Sequence, residues 1–392
     1  MFKSVLSLTL AAALGTASFG QTTLTAIPGE AAAAKYASIS QEILRAIEKG
    51  NEYLKSKQNP EGYWAQPSYP ALTALAVTAY MRDPANQGKP VPEYIRKGYD
   101  FILKSQKEDG SIFNRGMSSY NTAVCMMALL AANKEEYAPA ILKGRAYLIK
   151  QQNHFAPDNP YNGGIGYGDK QAPPIADLSN TSLALEAIYY SQKLAKDGKY
   201  GEQPDLDWNA ATEFINRCQQ NPAVNKEPWV SNDKSQLGGF VYRPGVSSAR
   251  DKKSAAFDKA EPPKAYGSMT YAGMQSLIYA NVDKNDPRVK LALKWLENSY
   301  SLDENPGMGV QGLYYYYQAM SKALSAMGID TLTLENGRKV DWRDELANKL
   351  ISIQKSHGSW VNTNNRWWEA DPVLVTSYCV LALEQLYHSI PR

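Results

Sequence analysis

Apolar residues recur along this chain in two alternating styles. From Ile39 onward, Ile39, Ile43, Leu44, Ile47 and Leu54 keep helical spacing with charges between them, which predicts an amphipathic helix with one covered face. The next apolar stretch, Pro70 to Met81 (PALTALAVTAYM), is apolar on nearly every face, so a helix there is buried all round. Pro70 suits the start of such a helix, where its missing N–H costs little.

The pair then repeats. VPEYIRKGYDFILKSQ precedes SYNTAVCMMALLAA, YAPAILKGRAYLIKQQN precedes DLSNTSLALEAIYYSQ, and LDWNAATEFINRCQQN precedes YGSMTYAGMQSLIYA. The last two pairs are DPRVKLALKWLENSYS with VQGLYYYYQAMSKALSAMG, and WRDELANKLISIQKSHGSW with PVLVTSYCVLALEQLY. Turns rich in glycine join the two helices of a pair: Gln58, Gly62 and Trp64 recur as Gln354, Gly358 and Trp360, and Gln106 and Gly110 keep the same spacing. A period of roughly 50 residues marks a repeat array. Left open, the array exposes an apolar edge; closed, its inner helices cover one another. The prediction is an all-α (α/α)6 toroid of six hairpins, one domain over residues 39–388, with inner and outer rings.

A hydroxyl recurs at one register of the inner helices, at Thr73, Thr122, Thr181, Thr270 and Thr376, with Tyr316 in the fifth. Bonding back to helix carbonyls in crowded packing is the preferred reading, and lining a cavity the other. The largest departure from the period is the loop 221–264, read as a mobile flap over one rim.

Composition narrows the function. The net charge is +3 and the cations are scattered, which argues against nucleic acid as a partner. Tyr outnumbers Phe by 26 to 8, a bias that fits a lined cavity, because tyrosine joins an apolar ring to a polar tip. At the N-terminus, Lys3, the apolar run Val5 to Leu14 and Ser18-Phe19-Gly20 read as a secretory signal peptide over 1–20, cleaved near Gly20 and leaving a secreted or periplasmic protein. The run is too short for a stable membrane span, and residues 21–38, small and polar, read as a disordered lead-in. Cys125, Cys218 and Cys379 are odd in number and widely spaced, so they form no disulfide framework, and Cys125 and Cys379, inside strongly apolar helices, read as buried inert thiols.

The Gln-x-x-x-Gly-x-Trp turns and alternating apolar helices resemble the prenyltransferase and squalene-oxidase repeats of terpenoid cyclases and protein prenyltransferase beta subunits, over roughly Ile39 to Tyr387. Tyr266 to Gly273 (YGSMTYAG) and Asp177 to Thr181 (DLSNT) resemble a secreted bacterial branch of that superfamily. The resemblance implies a toroid that handles terpenoid or lipid substrates. It also implies what this chain departs from. Type II cyclases protonate an alkene or epoxide with the middle Asp of Asp-x-Asp-Asp-Thr. Here Asp177 and Thr181 match, but Ser179 holds the proton donor's place and Asn180 the third acidic place, and a hydroxyl is no strong acid near neutral pH. The prenyltransferase zinc needs Asp, Cys and His; its His position falls at or near Val375, and the only histidines, His154, His357 and His388, pair with no cysteine at ligand spacing. No metal and no cofactor are expected. Thioester chemistry, which shares the toroid, lacks its Cys-Gly-Glu-Gln.

The candidate site is a polar cluster at the mouth of the ring. Asp177 opens an apolar helix and reads first as an N-cap, yet Ser179, Asn180 and Thr181 follow at once beside the glycine-rich turn bearing Tyr167, so ligand contact stands beside capping. Glu369 and Asp371 precede the last inner helix, next to Trp367 and Trp368, aromatic faces suited to a sugar or a terpenoid. Asp177, Asp371 and Glu369 are the candidate catalytic groups. Tyr167, Ser179, Asn180, Thr181, Arg243, Tyr266, Tyr271, Trp367 and Trp368 are the candidate ligand contacts. The favoured function is binding, with or without processing, of a terpenoid, lipid or glycan. The alternatives are an active non-typical cyclase, a carbohydrate-active enzyme using Asp177 with Asp371 or Glu369, and a protein-binding scaffold. The residues leave catalysis, oligomeric state and protein partners open.

Overall fold

The computed structural model describes residues 28–168, 175–249 and 262–390; the signal peptide read at 1–20, residues 21–27 and the 250–261 part of the long loop lie outside the described residues. Twelve α-helices make up almost all of the regular structure described. The outer helices are α1 (Pro28–Ser56), α3 (Glu93–Lys104), α5 (Ala138–Lys150), α7 (Trp208–Asn216), α9 (Pro287–Asn298) and α11 (Trp342–Ile353). The inner helices are α2 (Pro70–Arg82), α4 (Ser118–Ala131), α6 (Leu178–Ala195), α8 (Gly267–Tyr279), α10 (Leu313–Met327) and α12 (Pro372–Ser389).

Each inner helix touches the next, and α12 returns to α2, so the ring closes. The outer helix α1 lies against α11 and α12 and covers the junction. The expected all-α toroid is the architecture observed. Its physical basis is visible in α12, where Val373 to Glu384 are buried without interruption, leaving no polar face. Between α10 and α11 a short antiparallel hairpin, β1 (Leu332–Thr333) with β2 (Lys339–Val340), sets Leu332 opposite Val340.

One correction concerns the N-terminal lead-in. Helix α1 begins at Pro28, so residues 28–38 are helical rather than disordered. The run Ala31 to Ala34 is the strongest helix former available and carries the helix upstream of the first apolar repeat. Tyr36 then anchors it, buried and donating from its hydroxyl to Asp341 Oδ2 at 2.5 Å.

The repeating turn is a three-part joint. Gln58 Nε2 donates to Gly62 O within its own turn (3.0 Å) and to Tyr94 O at the start of α3 (2.7 Å). Gln106, Gln152 and Gln219 do the same toward α5, α7 and α9, each spending one amide on two carbonyls. The last, Gln354, donates to Gly358 O and to Ala46 O of α1, both at 3.0 Å, and thereby ties the sixth turn to the first helix. The turn glycine is required twice over: Gly163 has φ +81°, and a Cβ there would stand 1.9 Å from Ala210 O of the neighbouring outer helix.

The recurring threonines supply the third part, a role neither reading anticipated, while bonding back to a helix carbonyl holds at Thr270. Their hydroxyls accept from buried turn amides: Trp64 N–H to Thr73 (3.0 Å), Ile112 to Thr122 (2.8 Å), Ile165 to Thr181 (2.9 Å), Phe240 to Thr270 (3.0 Å) and Trp360 to Thr376 (3.1 Å). Thr270 alone of these also donates back along its helix, to Tyr266 O. In the fifth hairpin the Tyr316 hydroxyl donates to Ser301 O instead (2.9 Å). A turn amide facing a wall of apolar helices has no water to bond, and the threonine fills that need.

The described ends of the long loop are held by side-chain bonds: Asn225 Nδ2 to Gln219 O (2.8 Å), Ser231 N–H to Gln220 Oε1 (2.8 Å) and Ala265 N–H to Gln236 Oε1 (2.9 Å).

Candidate functional site

Bonds near their first turns place the starts of the inner helices at one end of the ring: Ser182 Oγ of α6 donates to Ala272 O of α8, and Tyr315 N–H of α10 to Glu369 just before α12. Ala71 N–H of α2 donates to Asn121 Oδ1 of α4, and Ser268 N–H of α8 to Asn305 Oδ1 just before α10. At this rim Asp177 caps α6, taking the Asn180 backbone N–H on Oδ1 and the Asn180 side-chain amide on Oδ2, both at 2.8 Å. The carboxyl is only 2% exposed. Burial pushes it up to about 6, while Asn180, the Tyr242 hydroxyl and the Arg243 guanidinium pull the other way.

Tyrosines surround this carboxyl. Its charge acts on Tyr242, Tyr266 and Tyr315, each raised well above the usual phenol range chiefly by burial. Ser179 interacts with the Tyr315 hydroxyl, and Tyr167 with that of Tyr242. Leu178 N–H donates to Tyr242 O (2.8 Å) and Ser119 N–H to Tyr167 O (3.0 Å), which fixes both tyrosines' backbones against the inner helices. Sequence reasoning found Asp177, Ser179, Tyr167, Arg243 and Tyr266, and the fold brings these together. It missed Tyr242, which adjoins Arg243, and Tyr315, one of four consecutive tyrosines whose directions only the helix settles.

Several candidates have structural duties. Asn180 and Thr181 are buried in the cap and the turn joint. Tyr271 is fully buried in the seam between α8 and α10, its ring 5.6 Å from Tyr316. Glu369, 1% exposed, caps a different helix from the one it precedes: Tyr315 N–H of α10 donates to Oε1 (2.8 Å) and Asn362 Nδ2 to Oε2 (2.7 Å). Asp371 caps α12, accepting from Val373 N–H at 2.8 Å. In the order of the ring α12 stands opposite α6, so the three carboxyls share a rim but not a side of it.

Trp367 and Trp368 stand out of the rim, 44% and 39% exposed, in left-handed backbone at φ +54° and +63°. Such a conformation is strained for bulky side chains. The Arg366 guanidinium lies 4.5 Å over the Trp367 ring, and Trp368 meets Tyr69 at 4.6 Å.

Below the carboxyl, Tyr120 and Tyr378 interact through their hydroxyls, and the Tyr315 and Tyr378 rings lie 6.0 Å apart. These three form the roof of a cavity of about 80 Å³ to which every inner helix contributes. Its walls are apolar at Leu75, Val124, Leu183 and Leu381. Its polar lining includes the Lys322–Glu186 ion pair (2.5 Å), Arg82 and Gln275. None of these four was a candidate. The signal was present, because a lone charge within an otherwise apolar helix needs a reason.

No family model matches the chain. Solved structures do. The type II terpene cyclase MstE from Scytonema, as a variant in complex with geranylgeranyl dihydroxybenzoate, superposes with a TM-score of 0.53 at 10% identity, covering 90% of this chain and 99% of that one. The Candida albicans protein geranylgeranyltransferase-I complexed with GGPP gives 0.54 at 14%, covering 87% and 91%. The fold is that of the terpene cyclases and protein prenyltransferases. Within this fold the DLSNT segment lies at the start of an inner helix, with Asp177 as its only acid. Among the described residues no group of three His, Cys, Asp or Glu is placed to hold a metal ion, and the three cysteines are buried and free. No described helix is long and apolar enough to cross a membrane.

Proposed function

We propose that the protein is exported and binds an apolar, isoprenoid-class ligand at the centre of its ring, with Asp177 as the group that moves a proton. The observation that carries this reading is the buried Asp177 carboxyl among Tyr242, Tyr266 and Tyr315. Tyrosine faces suit an apolar or transiently cationic guest. The neighbours in fold space are a cyclase holding a geranylgeranyl dihydroxybenzoate and a transferase holding GGPP. Export rests on the leader pattern at Lys3 and Val5 to Leu14.

The position of Asp177 on the acidity scale selects the chemistry. A carboxyl near 6 exchanges protons efficiently around neutral pH. A proton held there passes most readily to an oxygen-bearing group of the ligand: a hydroxyl, an epoxide or an ester. The cavity below is about 80 Å³, against the roughly 150 Å³ that admits a benzene. It holds one short branched end, and the remainder of a longer ligand lies toward the rim.

Native mass spectrometry of protein purified from its own host tests binding, with a retained isoprenoid-class molecule as the expected result. Incubation with epoxysqualene, polyprenols and prenyl diphosphates tests processing. Asp177→Asn is expected to keep binding and to lower turnover roughly a hundredfold or more. Turnover unaffected by that change removes Asp177 from the mechanism.

The exposed and strained Trp367 and Trp368 favour a second reading, glycan binding at the rim. Quenching of tryptophan fluorescence by oligosaccharides, abolished in Trp367→Ala, would support it; the pairing of Asp177 with Glu369 or Asp371 gains nothing from their capping bonds.

A further inference from the structure

The central cavity has a polar side that its apolar walls do not explain. Its charged lining residues are Arg82, Lys322 and Glu186, two cations against one anion, which leaves one positive charge. Lys322 is satisfied by Glu186 at 2.5 Å. Arg82 is not matched in this way. Its Nη2 donates to the neutral Gln385 Oε1 (2.8 Å), and it forms no ion pair among the described residues. The adjacent Asp83 directs its oxygens to Asn51 (3.0 Å), the Ala85 N–H (2.8 Å) and Asn86 (3.2 Å). Gln275, 5% exposed, lines the same cavity with a buried side-chain nitrogen that meets no acceptor.

A buried amide donor without an acceptor is costly, and a half-buried guanidinium with no carboxylate paired to it is a ready partner for an anion, so one group serves both. Resting on the reading of the ring as an isoprenoid-class binder, we infer that the cavity takes the carboxylate end of a short branched acid. Arg82 is its ion-pair partner and Gln275 a hydrogen-bond donor. The acid's first branched carbons lie against Leu75, Val124, Leu183 and Leu381, and the remainder of the chain passes Tyr120, Tyr315 and Tyr378 toward the rim. A neutral alcohol of the same skeleton fills the same walls but leaves the positive charge unmatched. Glu384, fully buried and without a hydrogen-bond partner on either oxygen, forms no ion pair with Arg82 among the described residues and so is not that match; burial raises its carboxyl against the pull of the Arg82 guanidinium.

Isothermal titration of the delipidated protein with two matched pairs, senecioic acid with prenol and geranic acid with geraniol, separates the alternatives; hexanoic acid tests the need for branching. The acids are expected to bind roughly tenfold or more tightly than the alcohols, the strength of a charge-assisted bond. Arg82→Gln should erase that preference while leaving alcohol binding intact, Arg82→Lys should restore part of it, and Gln275→Leu should weaken the acids selectively. Circular dichroism checks that the variants fold. Equal binding of acid and alcohol, or acid binding unchanged in Arg82→Gln, overturns the inference and leaves the isoprenoid reading standing. Binding of none of these molecules overturns the isoprenoid reading itself.

Discussion

Gly163 and Gly198 show how differently two residues of one type can be constrained. Both have positive φ, +81° and +74°, but a Cβ on Gly163 would meet Ala210 O at 1.9 Å, whereas one on Gly198 meets nothing within 4 Å. Gly163→Ala is expected to cost on the order of 3 kcal/mol, strain plus overpacking, and Gly198→Ala about 1 kcal/mol, strain alone. Urea denaturation of the two variants measures the difference. Titration gives a second contrast. Asp177 and Glu384 both have folded pKa values above their ordinary ones, so folding favours their protonated forms. Stability is therefore greatest below the unfolded values and falls as pH rises; for Asp177 the fall lies between about 4 and about 6. Glu384→Gln removes its share of the loss and should stabilise the protein at pH 8 by on the order of 1–3 kcal/mol, with little effect near pH 4. Thermal melts across that range give the sign directly.

At the scale of elements, the joints carry the architecture. The periodic apolar pattern made every hairpin legible in the sequence, because a helix with no polar face has few places to go. The threonine register was visible too, but its partner was not: Trp64 lies nine residues before Thr73 and Ile165 sixteen before Thr181, and nothing local announces that a turn amide folds back onto the next helix. Glu369 was legible as an acid near α12, while its bonds to α10 depend on the ring being closed. The cavity charges were hidden for a related reason, since Arg82, Glu186 and Lys322 come from three helices that meet only at the centre. Gln354 is the joint to test. Gln354→Leu deprives Ala46 O and Gly358 O of their donor and is expected to cost about 1–3 kcal/mol. Hydrogen exchange should quicken first in α1 and α11, the two helices it holds together; uniform quickening over all six hairpins would mean that the joint is not local.

For the whole molecule, closure matters more than the order in which hairpins leave the ribosome. Helix α1 lies against α11 and α12, and Gln354 joins the sixth turn to α1 just as Gln58 joins the first turn to α3. The covalent chain therefore imposes a beginning that the packing scarcely notices. A circular permutant with a flexible tether from residue 390 back to 28 and new ends in the 83–92 connection should fold to the same object, with a melting temperature within a few degrees of the parent. Like a carousel, the molecule would run equally well from any horse.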